Sequence, residues 1–121
     1  MFLNCSNHAS KNWNIRQREV AEKWGEIIDY PFPVVPANAD ETEVKKIAEH
    51  VMKDILEMKP SVIMCQGEFT LTYLLVTGFL YHGIKVVAAC SERKTEECIL
   101  QDGSVEKKTI FEFIKFRDYI V

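Results

Sequence analysis

Residues 61–70 read SVIMCQGEFT: an apolar run, Ser61 to Cys65, breaks into an amide, a glycine, a carboxylate and a hydroxyl before a helical pattern begins. Val62-Ile63-Met64-Cys65 has no polar alternation, as expected for a parallel strand covered on both faces. The segments on either side fix the class. Upstream, Asp40 N-caps a long helix with Glu41 and Glu43 in its first turn, where the helix dipole favours negative charge. Val44, Ile47, Ala48, Val51, Ile55 and Leu56 form its apolar stripe, and Pro60 ends it. Downstream, Leu71 to His82 reads as a helix that is apolar nearly all round and closes at Gly83. Ile84 to Cys90 (IKVVAAC) is then another buried strand.

Further out, Met1 to Cys5 (MFLNC) is a short buried strand ending in the polar loop Ser6-Asn7-His8-Ala9-Ser10. Ile15 to Trp24 follows as a helix, with Asn14 or Ser10 as its cap and Gly25 as its stop. Glu26 to Phe32 is a second strand, cut off by Pro31, Pro33 and Pro36. After Cys90 the chain predicts a polar loop, Ser91-Glu92-Arg93-Lys94-Thr95. A hairpin comes next: Cys98 to Gln101, a turn at Asp102-Gly103, and a return strand from Val105 that contains Phe111, Phe113, Ile114 and Phe116.

Strands alternating with helices predict an α/β fold with an open parallel sheet, in one domain over residues 1–121. Right-handed crossovers favour strand order 2-1-3-4, with the C-terminal β-hairpin at the edge. In that order the winding reverses between the first and third strands, and ligands bind outside the carboxyl ends of strands at such a reversal. The loops concerned are Ser6 to Ser10 and Gln66 to Thr70, so the polar break after Cys65 lies where the architecture puts its crevice.

The balance of 47% apolar and 27% charged residues excludes a disordered chain. A net charge of -3 argues against binding long nucleic acid, because sequence-independent polyanion binding needs a basic surface. No run approaches the roughly 20 apolar residues of a membrane span, and the N-terminus lacks a signal-peptide pattern, which predicts a cytoplasmic protein with no membrane partner. Cys5, Cys65, Cys90 and Cys98 contain no CxxC pair and have no histidine at ligand spacing, so reduced core thiols are expected rather than disulfides or a metal site. Met52, Met58 and Met64 read as core residues. Neither a dinucleotide fingerprint nor a P-loop is present, and no cofactor is expected.

Three loops carry the polar chemistry. Ser6, Asn7, His8 and Ser10 offer hydrogen-bonding groups, and His8 is the one residue type here whose unperturbed pKa is near neutrality. An Asx or Ser turn that caps the first helix is the alternative for Asn7, and a surface histidine the alternative for His8. In the second loop Gly67 allows a sharp turn or close approach to a ligand, and the following helix presents free N–H groups to an anion. Glu68 reads first as the cap of that helix and second as an acceptor for a base, a ribose hydroxyl or a basic side chain, while Gln66 and Thr70 suit ligand contact. In the third loop Arg93 and Lys94 are the adjacent basic pair at a strand end and could clamp phosphate, with Ser91 as cap or contact. A solvated charged turn is the alternative, as Lys107-Lys108 illustrates.

LNCSNH after the first strand, QGEFTLTYLLV after the third, VVAACSER at the fourth and the closing FEFIKFRDY resemble the small CRISPR-associated proteins of type III loci. These are similar to CARF sensors, the CRISPR-associated Rossmann-fold domains, reduced to the sensing domain, and include minimal ring nucleases. The resemblance spans essentially the whole chain. It implies a Rossmann-like fold and a homodimer that binds a cyclic oligoadenylate, most often the four-membered ring, across its two-fold axis. It further implies metal-free cleavage, in which a ribose 2′-OH attacks the adjacent phosphorus and leaves a 2′,3′-cyclic phosphate, switching off type III signalling. On that basis Ser6, Asn7, Ser10, Gln66, Gly67, Glu68, Thr70, Ser91 and Lys94 would contact ligand, and His8 and Arg93 would act in catalysis. A binder that sequesters the messenger without cutting it, through higher assembly of dimers, is the alternative. An interaction module with no nucleotide ligand is another. Phosphate-ester hydrolysis through a nucleophile ranks last, because no Ser or Cys has an identifiable activating base.

Overall fold

The computed structural model describes residues 1–121. The chain runs β1 (Phe2–Ser6), a short 3-10 turn (Ser10–Asn12), α1 (Ile15–Glu22), β2 (Ile27–Asp29), α2 (Glu41–Met58), β3 (Val62–Gln66), α3 (Phe69–Tyr81), β4 (Lys85–Ile99) and β5 (Val105–Asp118). It is an α/β fold with a mixed, mostly parallel five-stranded sheet in the order β2-β1-β3-β4-β5. The first four strands pair in parallel, and β4 pairs with β5 antiparallel.

Strand alternation divides the sheet into two faces. Leu3, Cys5, Ile63, Cys65 and Val86 point toward α2 and α3, where they meet Val44, Val51, Ile55, Leu71, Leu75 and Phe79 in the larger core. Phe2, Val62, Met64 and Val87 point the other way and pack with Trp13, Ala21, Trp24 and Phe116 beneath α1. One helix therefore covers one face and two cover the other, as the predicted order requires. The caps follow sequence expectation: the Asn14 side chain accepts from Gln17 N at 3.0 Å and the Asp40 carboxylate accepts from Glu43 N at 2.9 Å. No helix is long and apolar enough to cross a membrane.

Several boundaries differ from the sequence expectation. β2 is short, but Tyr30 N and Phe32 N still donate to Asn4 O and Ser6 O, so the chain stays beside β1 until the prolines turn it away. α1 stops at Glu22, before Trp24, and α3 starts at Phe69, because Glu68 caps it. Met58 is exposed rather than buried, whereas Met64 is in the core.

The largest correction concerns the end of β4. Ser91, Arg93 and Lys94 do not lie in a loop at a strand terminus. They are mid-strand, opposite Phe113, Phe111 and Ile110 of β5. Three of the charges on this segment, Lys94, Glu96 and Glu97, find an opposite charge on β5, which stabilises an extended pair that charge alone would mark as a loop, while Glu92 faces Glu112 and Arg93 faces Phe111. Glu96 faces Lys108, Glu97 faces Lys107, and Lys94 Nζ lies 2.6 Å from the Glu112 carboxylate. The hairpin is thus longer than expected, and its first arm is β4 itself. A register irregularity at Cys90/Ser91 marks the point where this ribbon leaves the body of the sheet, and Ser91 to Glu97 are exposed throughout.

Candidate functional site

β1 and β3 lie side by side in parallel, with Ser6 opposite Gln66, so their following loops emerge at the same edge. Between them is a hollow of about 310 Å³ lined by Asn7, His8, Gln66, Gly67, Phe69, Thr72 and Tyr119. A second hollow of about 240 Å³ adjoins it through the shared Asn7, and is lined by Ser6, Asp29, Tyr30 and Phe32 among others. Residues from two loops of the sequence reading, Asn7 and His8 with Gln66 and Gly67, therefore meet in one crevice at the reversal of winding.

The first loop is held from below by a polar network of the buried Asn4, Ser6 and Ser10 with the exposed Asp29. Asn4, 1% exposed, points to the α1 face, where its Nδ2 donates to His8 O at 2.8 Å and to Asp29 Oδ1 at 3.0 Å. Its Oδ1 accepts from Ser6 Oγ at 2.6 Å, and Ser6 Oγ accepts from His8 N at 3.2 Å. Asp29 receives Ser10 N and Ser10 Oγ at 3.2 Å, and Trp13 Nε1 donates to His8 O at 3.1 Å. Satisfied buried polar groups of this kind fix one conformation, since each lost partner would leave another group unpaired. The backbone of His8 is pinned on both sides while its ring is exposed and makes no hydrogen bond within the chain. Ser6 and Ser10 are buried and their hydroxyls are engaged in this network, so they shape the loop rather than face the crevice.

The second loop is equally determined. Gln66 Oε1 accepts from Ala89 N at 2.6 Å, which fixes the amide and leaves its Nε2 as the free donor. Gly67 has no positive φ; its requirement is steric, because a Cβ there would meet three ring atoms of Phe32 at 2.6 Å. Glu68 is the N-cap of α3. Its carboxylate accepts from Thr70 N at 3.0 Å, Leu71 N at 2.8 Å and the Thr70 hydroxyl. Those bonds, that from Leu71 N foremost, hold the Glu68 carboxyl below its ordinary range. The N–H groups of Thr70 and Leu71 are thereby occupied by the chain's own carboxylate. Thr70 is turned away from the crevice and borders a different hollow, against the start of α2.

Arg93, Ser91 and Lys94 do not line the crevice. Ala89 marks the level of Gln66, and Arg93 is four residues farther along the strand, roughly 13 Å at the usual rise. Lys94 is ion-paired with Glu112, which raises the lysine pKa and lowers that of the glutamate. Three crevice residues escaped the sequence reading. Phe69 and Thr72 are successive turns of one α3 face, a spacing present in the sequence. Tyr119 arrives from the far end of the chain, donating its hydroxyl to Cys65 O at 2.9 Å, and nothing local announces it. Burial pushes the Tyr119 phenol up. The Oγ1 of Thr72 is buried and has no hydrogen-bond partner. Asp29 was also missed, since only the pairing of β1 with β2 places it beside Asn4.

Cys5 and Cys65 are buried neighbours in register, and the Cys65 thiol is pushed up by its hydrogen bond with Cys5 and by burial, which disfavours a thiolate. A family model described as the Uncharacterized protein MJ1673 family matches residues 1–117. The chain belongs to that family. The matched span takes in both crevice loops and the β4–β5 ribbon. No curated protein and no solved structure matches the chain.

Proposed function

We propose that this is a Rossmann-like, cytoplasmic protein that binds a cyclic oligoadenylate, most simply the four-membered ring, across a homodimer and cleaves it without metal. The reading rests on the sequence resemblance together with one observation: Asn7, His8, Gln66 and Thr72 converge on one crevice at the carboxyl ends of β1 and β3. Asn7 and the free Nε2 of Gln66 suit ribose and phosphate oxygens. Phe69 and Tyr119 supply aromatic surface for a base.

In the proposed reaction a ribose 2′-oxygen bonds to the adjacent phosphorus while the bond from that phosphorus to the 5′-oxygen of the next nucleoside breaks. The 2′ proton passes to a base and the leaving 5′-oxygen gains one. His8 brings the one imidazole of the crevice, the side-chain type most often used as a general acid or base. Most of the acceleration comes from holding the 2′-OH in line, which a loop pinned by Asn4 and Asp29 supports. Arg93, Ser91 and Lys94, which the resemblance would place at the ligand, lie along β4 outside this crevice and have no part in the scheme.

A second reading, a binder that sequesters the messenger, is favoured by the absence of Lys and Arg from the crevice lining, which leaves no cation beside the phosphate in this conformation. His8→Ala separates the two. The nuclease reading predicts intact binding by thermal shift and loss of linear products ending in a cyclic phosphate. Undiminished cleavage by His8→Ala would remove His8 from the mechanism.

A further inference from the structure

α3 contains no charged residue from Phe69 to Tyr81. Its inner side, Leu71, Leu75, Val76 and Phe79, is buried in the core. Its outer side is also apolar and aromatic, yet nothing in the chain covers it: Phe69 is 90% exposed, Tyr73 68% and Tyr81 89%. These side chains recur at helical spacing and, with Leu80, Ile120 and Val121, line a groove of about 620 Å³. A helix apolar all round belongs in an interior, and a contiguous exposed apolar patch marks an interaction surface.

The occupant follows from charge and from position. A two-fold contact sets a patch against itself, so any charge near the axis would meet its like. α3 is the helix that meets that condition, whereas α1 and α2 carry charged residues along their lengths. The groove is also continuous with the crevice, because Phe69, Thr72 and Tyr119 border both. A body seated on α3 therefore becomes a wall of the site. At about 310 Å³ one crevice is at the small end of the range for a drug-sized ligand, too small for a ring of nucleotides.

We propose that α3 packs against α3 of a second copy about a two-fold axis, and that this contact merges two crevices into one chamber whose walls include Phe69 from both copies. The ligand part of this inference rests on the function proposed above; the interface part does not.

Tyr73 is the residue to change, since its exposure allows substitution without disturbing the core. The wild-type chain should sediment at twice 14.0 kDa, and Tyr73→Glu at 14.0 kDa with an unchanged far-UV spectrum. Mixing Tyr73→Glu with Tyr73→Lys should restore the dimer, because the opposed charges then attract across the axis. Cyclic tetra-adenylate should raise the melting temperature of the wild type and of the mixture but not of Tyr73→Glu alone. A wild-type monomer at high micromolar concentration overturns the proposal, as does a dimer that survives Tyr73→Glu combined with Tyr81→Glu. A ligand response retained by the Tyr73→Glu monomer overturns the merged chamber. A dimer that Tyr73→Glu breaks, with no response of the wild type to any cyclic oligoadenylate, supports the interface and sinks the ligand reading alone.

Discussion

Gly67 offers the sharpest test of how the crevice is built. A Cβ at this position would lie 2.6 Å from three ring atoms of Phe32, against the 3.4 Å or more of ordinary contact. Phe32 is 7% exposed and packs in the larger core with one side toward the second hollow, so its ring can give way only by leaving that packing. Because Gly67 has no positive φ, backbone strain adds nothing, and Gly67→Ala should cost about 1–3 kcal/mol through overpacking alone. Phe32→Leu alone should cost about 1 kcal/mol as a modest large-to-small change in the core. In combination the smaller side chain vacates the space the new methyl needs, so the double variant should be more stable than the sum predicts by about 1 kcal/mol. Urea unfolding at constant m measures all four corners of the cycle. Additivity within about 0.5 kcal/mol would refute the steric reading and return Gly67 to a role in ligand approach.

Asn4→Ala removes the donor to His8 O and Asp29 and the acceptor for Ser6, and at about 1 kcal/mol per bond should destabilise by about 3 kcal/mol in denaturant titration. Glu68, with its folded pKa lowered by Leu71 and Thr70, stabilises the fold fully above its ordinary 4.5 and loses that contribution as pH falls through the lowered value. Melting curves of wild type and Glu68→Gln should therefore differ at neutral pH and converge in acid. The Tyr30 phenol, desolvated and bonded to Asp54 at 2.7 Å, is pushed up to about 12, so ultraviolet titration should show a late-ionising tyrosine that disappears in Tyr30→Phe. Its raised pKa favours the fold below 10.0, an advantage lost as pH rises through about 12.

The parallel part of the sheet was legible because strands buried on both faces must be continuously apolar, and MFLNC, VIMC and IKVVAAC leave no alternative period. The crevice followed from strand order, so Asn7, His8, Gln66 and Gly67 could be grouped without coordinates. The ribbon was misread because Ser91 to Glu97 is charged on both faces, and its strand character comes from partners on β5 that lie far along the chain. The same error moved Arg93 and Lys94 to the crevice edge. Ser6, Ser10 and Thr70 were recognised as polar groups at the right place, but which of them faces a ligand depends on Asn4, Asp29 and Glu68, whose side-chain partners no local pattern encodes. The apolar circumference of α3 was plain in the sequence. Which part of it remains uncovered required the fold.

The most direct measurement is incubation of the purified chain with cyclic tri-, tetra- and hexa-adenylate in EDTA, with products separated by chromatography and binding followed by thermal shift. A melting temperature raised by one ring size, with linear products ending in a 2′,3′-cyclic phosphate that His8→Ala fails to form, is the predicted result. Neither a shift nor a product with any ring would contradict the proposed function and leave Asn7, His8 and Gln66 as the caps and ties of a strand-to-helix edge.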